Sequence, residues 1–141
     1  MKNIIHSARI IKVLDGAATG TTALQSVGVD MSGFESVLFV GRVATVNAGN
    51  FAHVQQGADD SADWEDVAGS KQVPANDGDS FAIEVVNPGD RYVRVSITRA
   101  GASTVTGDVY AILGHPRAMP PGQGATITAP LVLNGSTEGT P

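Results

Sequence analysis

The stretch "ESVLFVGRVATV", residues 35–46, decides the fold. Read with a period of two, it places Val37, Phe39, Gly41 and Val43 on one face and Leu38, Val40, Arg42 and Ala44 on the other. Its β-branched and aromatic residues are stiff at χ1 and suit a pleated surface better than a helix. Both faces are largely apolar. Such a strand is central in its sheet, either covered on both sides by its own domain or covered on one side and buried by a partner on the other.

Working outward, the neighbouring segments carry the same period. "NFAHVQQG" alternates Phe51, His53 and Gln55 with Ala52, Val54 and Gln56, and the short Asn47-Ala48-Gly49 turn before it predicts a hairpin with the strand just described. The polar stretch "DDSADWEDVAGS" holds a short strand anchored by Trp64, the only tryptophan, and by Val67. Three more strands follow, with Phe81, Ile83 and Val85, then Val93, Val95 and Ile97, then Val105, Val109, Ala111 and Leu113 on their inward faces. Opposite them stand Ser80, Glu84, Arg94, Ser96, Thr98, Thr104, Thr106 and Asp108, the alternation of half-buried antiparallel strands. Asn87-Pro88-Gly89-Asp90 marks a turn, with Pro fixing φ at the second position and Gly accepting a positive φ after it; Arg99-Ala100-Gly101-Ala102 marks a weaker one. Upstream, "TTALQSVGVDMSGF" runs extended into a turn at Ser32-Gly33, and "SARIIKVL" reads as a strand or docked arm.

About seven short strands at intervals of roughly 8 to 14 residues predict an all-β fold, an antiparallel two-layer β-sandwich or jelly roll with extended N- and C-terminal arms, and an open barrel as the competitor. The division predicted is an N-terminal arm or edge strand over residues 1–20, a β-sandwich over 21–114 and a Pro/Gly-rich arm over 115–141. That last segment holds five of the seven prolines, so it sustains neither a helix nor a central strand. Its "ATITAPLVLNG" is nonetheless too apolar for a purely entropic linker and is expected to dock on its own domain or on a neighbour.

Composition narrows the function. Nine basic against fourteen acidic residues give a net charge of −5, which opposes binding to phosphate backbones and makes direct nucleic-acid contact an unfavoured partner. Without cysteine there is no disulfide framework and no thiolate metal site. No apolar run approaches the roughly 20 residues of a spanning helix, and the start is interrupted by His6, Arg9 and Lys12, so the chain reads as soluble, untargeted and without a membrane partner. Only 16% of residues are charged, which leaves many small and apolar side chains to face outward and suits burial against neighbours.

The search for chemistry finds little. The three histidines, His6, His53 and His115, lie in separate segments at no metal-ligand spacing; His53 reads as a strand histidine and His115, before Pro116, as a turn cap. No nucleophile elbow, zinc helix or phosphate-binding loop occurs, so no enzyme activity and no cofactor are expected. Asp59, Asp60, Asp63, Glu65 and Asp66 cluster in one loop, but without the glycine and terminal glutamate of a calcium loop they read as solvated. Asp77, Asp79 and Asp90 flank glycine turns, where aspartate bonds its own backbone. Arg91, Arg94 and Arg99 are the one concentrated positive group and fit carboxylates on a partner.

The segment order "VDMSGFESVLFVGRVATV", "HVQQGADDSADWEDVAG" and "GDRYVRVSITRAGASTVTGDVYAILGHPRAMP" resembles small tailed-phage virion proteins of the capsid decoration, or cement, type over residues 29–120. That resemblance implies a β-sandwich on the capsid exterior, assembled in the host cytoplasm, that contacts the major capsid protein and bridges its subunits. Weak contacts repeated by symmetry then sum to a stable shell. A homo-oligomer, dimer or trimer, is the expected state. The contact residues expected are Ile4, Ile5, Ile10 and Ile11 at the N-terminus, Arg91, Arg94 and Arg99, and Ile127, Leu131 and Leu133 at the C-terminus. The alternatives are a head-completion or tail component, or a carbohydrate- or calcium-binding sandwich using Trp64, Tyr92, Tyr110 and the acidic loop. A cupin-type hydrolase needs a histidine cluster that the sequence lacks.

Overall fold

The computed structural model describes residues 3–132. One helical turn, α1 (Ile4–Ser7), precedes nine strands: β1 (Ala8–Leu14), β2 (Leu24–Gln25), β3 (Val29–Asp30), β4 (Ser36–Thr45), β5 (Phe51–Gly57), β6 (Glu65–Asp66), β7 (Ser80–Val86), β8 (Tyr92–Thr98) and β9 (Val105–Gly114). They form two antiparallel sheets packed as a sandwich, with no closed barrel. Sheet I has the order β1-β9-β4-β7; sheet II has the order β2-β8-β5-β6, with β3 also paired to β8.

The expected central strand is in place. β4 is bonded to β7 on one side and β9 on the other, and its Val37, Phe39 and Val43 are buried against sheet II. Phe81, Ile83 and Val85 of β7 and Val109, Ala111 and Leu113 of β9 complete that layer; Ala52, Val54, Val93, Val95 and Ile97 face them from sheet II. Each such side chain contributes about 1.5–3 kcal/mol through removal from water, so this shared core dominates the fold. Gly41 sits among them because the ring of Phe81, its cross-strand partner, occupies the space a Cβ would take.

The hairpin expected between β4 and β5 is not formed. β4 already has a partner along each edge, so the chain leaves sheet I at Thr45 and β5 starts in sheet II. The corner is held by polar side chains: buried Asn50 donates from Nδ2 to Thr104 Oγ1 at 3.0 Å, and its Oδ1 accepts from the Ala100 N–H at 2.8 Å. Asn47 donates to the same hydroxyl at 3.1 Å, so two sheet-to-sheet crossings, β4 to β5 and β8 to β9, are tied to each other. This also corrects Thr104, expected to face outward and found fully buried.

Thr106 is likewise buried and Val105 only half-buried, the reverse of the alternation expected for the start of β9. The β4–β9 register shifts between Gly41 and Val43, and the extra residue turns Thr106 inward. At the Asn87-Pro88-Gly89-Asp90 turn the positive φ falls on Asn87 (49°) rather than on Gly89, because Asn tolerates the left-handed region and its N–H there donates to Glu35 O at 2.7 Å.

Beyond β9 the chain returns to its own beginning. Gln123 Oε1 accepts from the Ile10 N–H at 2.7 Å, its Nε2 donates to Ala8 O at 2.8 Å, and the Gly124 N–H donates to Ile10 O at 2.8 Å. The free edge of β1 is thereby closed by the chain's own tail, the managed edge that sheet proteins need. A side chain at Gly124 would run into Ile10 O and the Ile11 backbone, which explains the glycine.

Candidate functional site

The three arginines expected as partner contacts each have partners within the chain. Arg91 forms a two-pronged pair with Asp30 at 3.0 and 2.7 Å, which holds the Asp30 carboxyl well below the usual carboxylate range. Arg94 donates to Gln55 Oε1 at 2.8 Å and stacks over Trp64 at 4.3 Å. Arg99 is only 8% exposed and donates to Thr22 O at 2.6 Å and Ala18 O at 2.8 Å, fastening the loop that leaves β1. The sequence brought them together by number; the fold places Arg91 at one end of β8, Arg94 on its outer face and Arg99 past its other end.

The outer face of sheet II is a polar mesh. Asp66 Oδ1 accepts from Gln55 Nε2 at 2.8 Å and lies 3.2 Å from His53 Nε2, so His53 and Gln55, adjacent outward positions of β5, share one carboxylate on β6. Lys71 stands 4.3 Å over the Phe51 ring, and Phe51 and His53 rings lie 5.3 Å apart. A shallow cleft of about 360 Å³ runs between Phe51, His53, Asp66 and Lys71. The His53 Nδ1 atom is buried with no hydrogen-bond partner, so the ring is held from its Nε2 side.

The acidic loop is occupied by its own backbone. Asp59 Oδ1 accepts from the Ser61 N–H at 2.8 Å and the Ala62 N–H at 2.9 Å, which lowers its pKa. Asp79 does the same with Asn76 and Ala75, and Asp77 takes the Val46 N–H at 2.7 Å. Among the described residues no three His, Asp or Glu side chains converge as a metal site. His115 adopts a φ of 53° at the exit of β9, with Nδ1 3.4 Å from Ser36 Oγ, a turn position.

The outer face of sheet I is of another kind. Register places Ile10, Ile112, Leu38 and Glu84 in one rank across β1, β9, β4 and β7, and Lys12, Tyr110, Val40 and Ala82 in the next. The central strands are apolar throughout these ranks, yet Tyr110 is 38% exposed and Ile10, Ile112, Leu38 and Val40 are half-buried. Val86, one rank further, is 60% exposed. Polar groups form the rim: Lys12 paired with Asp15 at 2.7 Å, then Asp108, Arg42 and Glu84. The two-sided apolar pattern of β4 announced this face, and of the expected contact residues Ile10 lies on it. Tyr110 and Ile112 were missed, although the unbroken run Tyr110-Ala111-Ile112-Leu113 carries the same signal.

Residues 4–7 enter sheet I, and residues 115–119 leave it, at its Ala8/Gly114 end. A cleft of about 480 Å³ opens there between Ser7, Glu35, His115, Arg117 and Met119. Ile4 is 78% exposed and Leu131 79% exposed, while Ile5, Ile11 and Ile127 are half-buried. Leu133 lies outside the described residues. Among the described residues no helix is long and apolar enough to cross a membrane.

No family model matches the chain, and no curated protein matches it by sequence. Among solved structures it is similar to the PBSX exported protein XepA, with 17% identity and a TM-score of 0.58 over 96% of this chain and 46% of that one. The likeness is one of fold. This chain spans less than half the length of that protein. It also aligns with the structure of Bacillus endospore appendages, a family of disulfide-linked pili, at 18% identity and a TM-score of 0.47 over 80% of this chain and 91% of that one.

Proposed function

We propose that this chain is a non-enzymatic structural protein of a tailed phage that binds the outside of the capsid and bridges its subunits as decoration proteins do. The observation that carries the reading is the meeting of residues 4–10 with residues 115–124 beside the β1–β9 pair, held by Gln123, together with the exposed apolar side chains of Ile4, Met119 and Leu131. Such ends are contact apparatus: each adds a small apolar area, and the area multiplies with copy number on a symmetric shell. The interleaved strand orders of the two sheets support a jelly-roll reading, an architecture found in viral capsid domains. The segment-by-segment resemblance to cement proteins supports the same reading, as does the fold shared with a phage protein, XepA. The polar side chains of greatest chemical interest are engaged with one another, His53 and Gln55 with Asp66 and Arg94 with Gln55 and the Trp64 ring, rather than arranged around a reacting atom.

Sedimentation of the chain with shells assembled without it tests this. Saturable binding at hundreds of copies per shell, weakened by Ile4→Ser and Leu131→Ser, is the expected result; a chain that leaves every shell unbound overturns it. A second reading, a phage protein released rather than particle-bound, is favoured by the exported character of XepA. Immunoblots of purified particles against culture supernatant separate the two.

A further inference from the structure

The outer face of sheet I is an apolar field bounded by charges: Lys12 and Glu84 on its two edge strands are opposite, and Asp108 on β9 and Arg42 on β4 close the end beyond Tyr110 and Val40. Lys12 stands on β1 and Glu84 on β7, with Tyr110 and Ile112 of β9 and Leu38 and Val40 of β4 between them. Glu84 has no cation within salt-bridge distance among the described residues. Antiparallel sheets that face water on one side put polar residues there, and the outer face of sheet II does so.

We propose that this face is covered by the same face of a second copy, related by a two-fold axis running along the strands between β9 and β4. An axis in that direction lays β9 of each copy on β4 of the other, so that Ile112 and Tyr110 pack on Leu38 and Val40 twice over. It also lays β1 on the second copy's β7, bringing each Lys12 within reach of the opposite Glu84. The other in-plane axis, across the strands, sets β1 on β1 and β7 on β7, and so places like charges together. The charge pattern selects the first axis. Two sheets meeting this way pack aligned, about 10 Å apart, as the layers of a sandwich do.

The area fits a reversible dimer. The two apolar ranks and the polar rank of Asp108 and Arg42 beyond them, about 6.8 Å apart along strands about 4.8 Å apart, give four strands a flat area of about 400 Å². Side-chain relief raises this to about 500 Å² per copy, or about 1,000 Å² in total, the lower bound for a specific interface. An interface of this size suits weak, reversible self-association. The inference goes beyond the capsid reading, since it concerns the chain alone.

Sedimentation velocity of the full chain from about 1 to 300 µM tests it, because a micromolar dimer titrates across that range. The expected result is a concentration-dependent shift from monomer to dimer, lost in Leu38→Glu and in Tyr110→Lys. Both side chains point away from the core, and unchanged circular dichroism confirms the fold; Tyr110→Lys, at the more exposed site, stands in if Leu38→Glu unfolds. The natural chain has no cysteine, so Lys12→Cys and Glu84→Cys chains can be joined by a bis-maleimide of about 10 Å, the sheet-to-sheet spacing. The mixture of the two variants is expected to crosslink, and either alone is not. A chain that stays monomeric throughout overturns the proposal, as does a dimer indifferent to both outward substitutions or a crosslink formed by Lys12→Cys alone. A monomer that needs Leu38 to bind shells assigns the face to the capsid, overturning the dimer while leaving the structural role intact.

Discussion

The two outer faces of the sandwich share one core and differ in what they leave undone. On sheet II nearly every outward group is answered from within: Arg94 by Gln55 and Trp64, Gln55 and His53 by Asp66, Arg91 by Asp30. On sheet I the two central strands present Leu38, Val40, Tyr110 and Ile112 to solvent with nothing of their own to cover them among the residues that their register brings alongside. A protein surface always exposes some apolar area, so single residues there carry little weight. A contiguous apolar field on two adjacent central strands, opposite a face of ordinary polarity, carries more. The contrast teaches that the conspicuous charged residues of β8 are tied into the fold, while the inconspicuous aliphatic ones of β4 and β9 form the face on which the proposed dimer rests.

The sharpest way to break this comparison is to cross one strand from inside to outside. Phe39→Ala, on the buried face of β4, is expected to cost about 3–5 kcal/mol in urea unfolding, because the ring leaves a cavity that two packed sheets cannot collapse. Leu38→Ser, the adjacent residue, is expected to cost less than about 1 kcal/mol in the monomer, as outward positions usually do. Equal losses at the two sites would erase the distinction between the faces. Next in size, Arg99→Ala removes two charge-assisted bonds to carbonyls and is expected to cost about 2–3 kcal/mol and to expose residues 15–23 to proteolysis. Arg94→Ala is smaller, about 1 kcal/mol, and its readout is specific: the fluorescence of the sole tryptophan shifts to the red as the guanidinium leaves the ring.

The smallest effect is one of pH. Arg91 depresses the folded-state pKa of Asp30, so the stability this pair contributes is complete above the unfolded carboxyl value of about 4 and is lost as pH falls from there toward the folded value. The pair is largely exposed, so salt weakens it. Asp30→Asn is therefore expected to flatten part of the acid limb of the stability curve at low salt and to change little at pH 7 beyond the loss of the pair. An unaltered acid limb would remove Asp30 from the set of groups that hold sheet II.

The alternation of Val37, Phe39, Phe81, Ile83, Val93 and Val95 made the layers legible, because period-two burial is a local property of each strand. Sheet membership was not legible. Asn47-Ala48-Gly49 looks like a hairpin turn, and only the distant Thr104 and Ala100, bonded to Asn50, make it a crossing instead. The bulge that turns Thr106 inward is equally nonlocal: it is matched by Ala17, whose N–H and C=O both bond the Thr106 backbone at 3.0 Å. At the surface, residue type misled for Arg99, since a guanidinium reads as a partner contact until the carbonyls of Ala18 and Thr22 are found beneath it. Gln123 gave no signal at all, because a glutamine that copies a strand's hydrogen bonds is visible only once the strand beside it is known.

The pairing of β1 with β9 has a consequence in time as well as space. During synthesis the first strand emerges with its only strand partner still about a hundred residues from the ribosome exit, and the tail that seals its other edge comes later still. Until then Ile10, Ile11 and Val13 are an apolar strand with two open edges. Sheet II completes earlier, when β8 reaches β2, β3 and β5, so its layer stands ready as a template. The sandwich closes by joining its first strand to its last, and such long-range closure folds slowly, on the scale of milliseconds to seconds, with a nascent first strand exposed to misassembly throughout the wait.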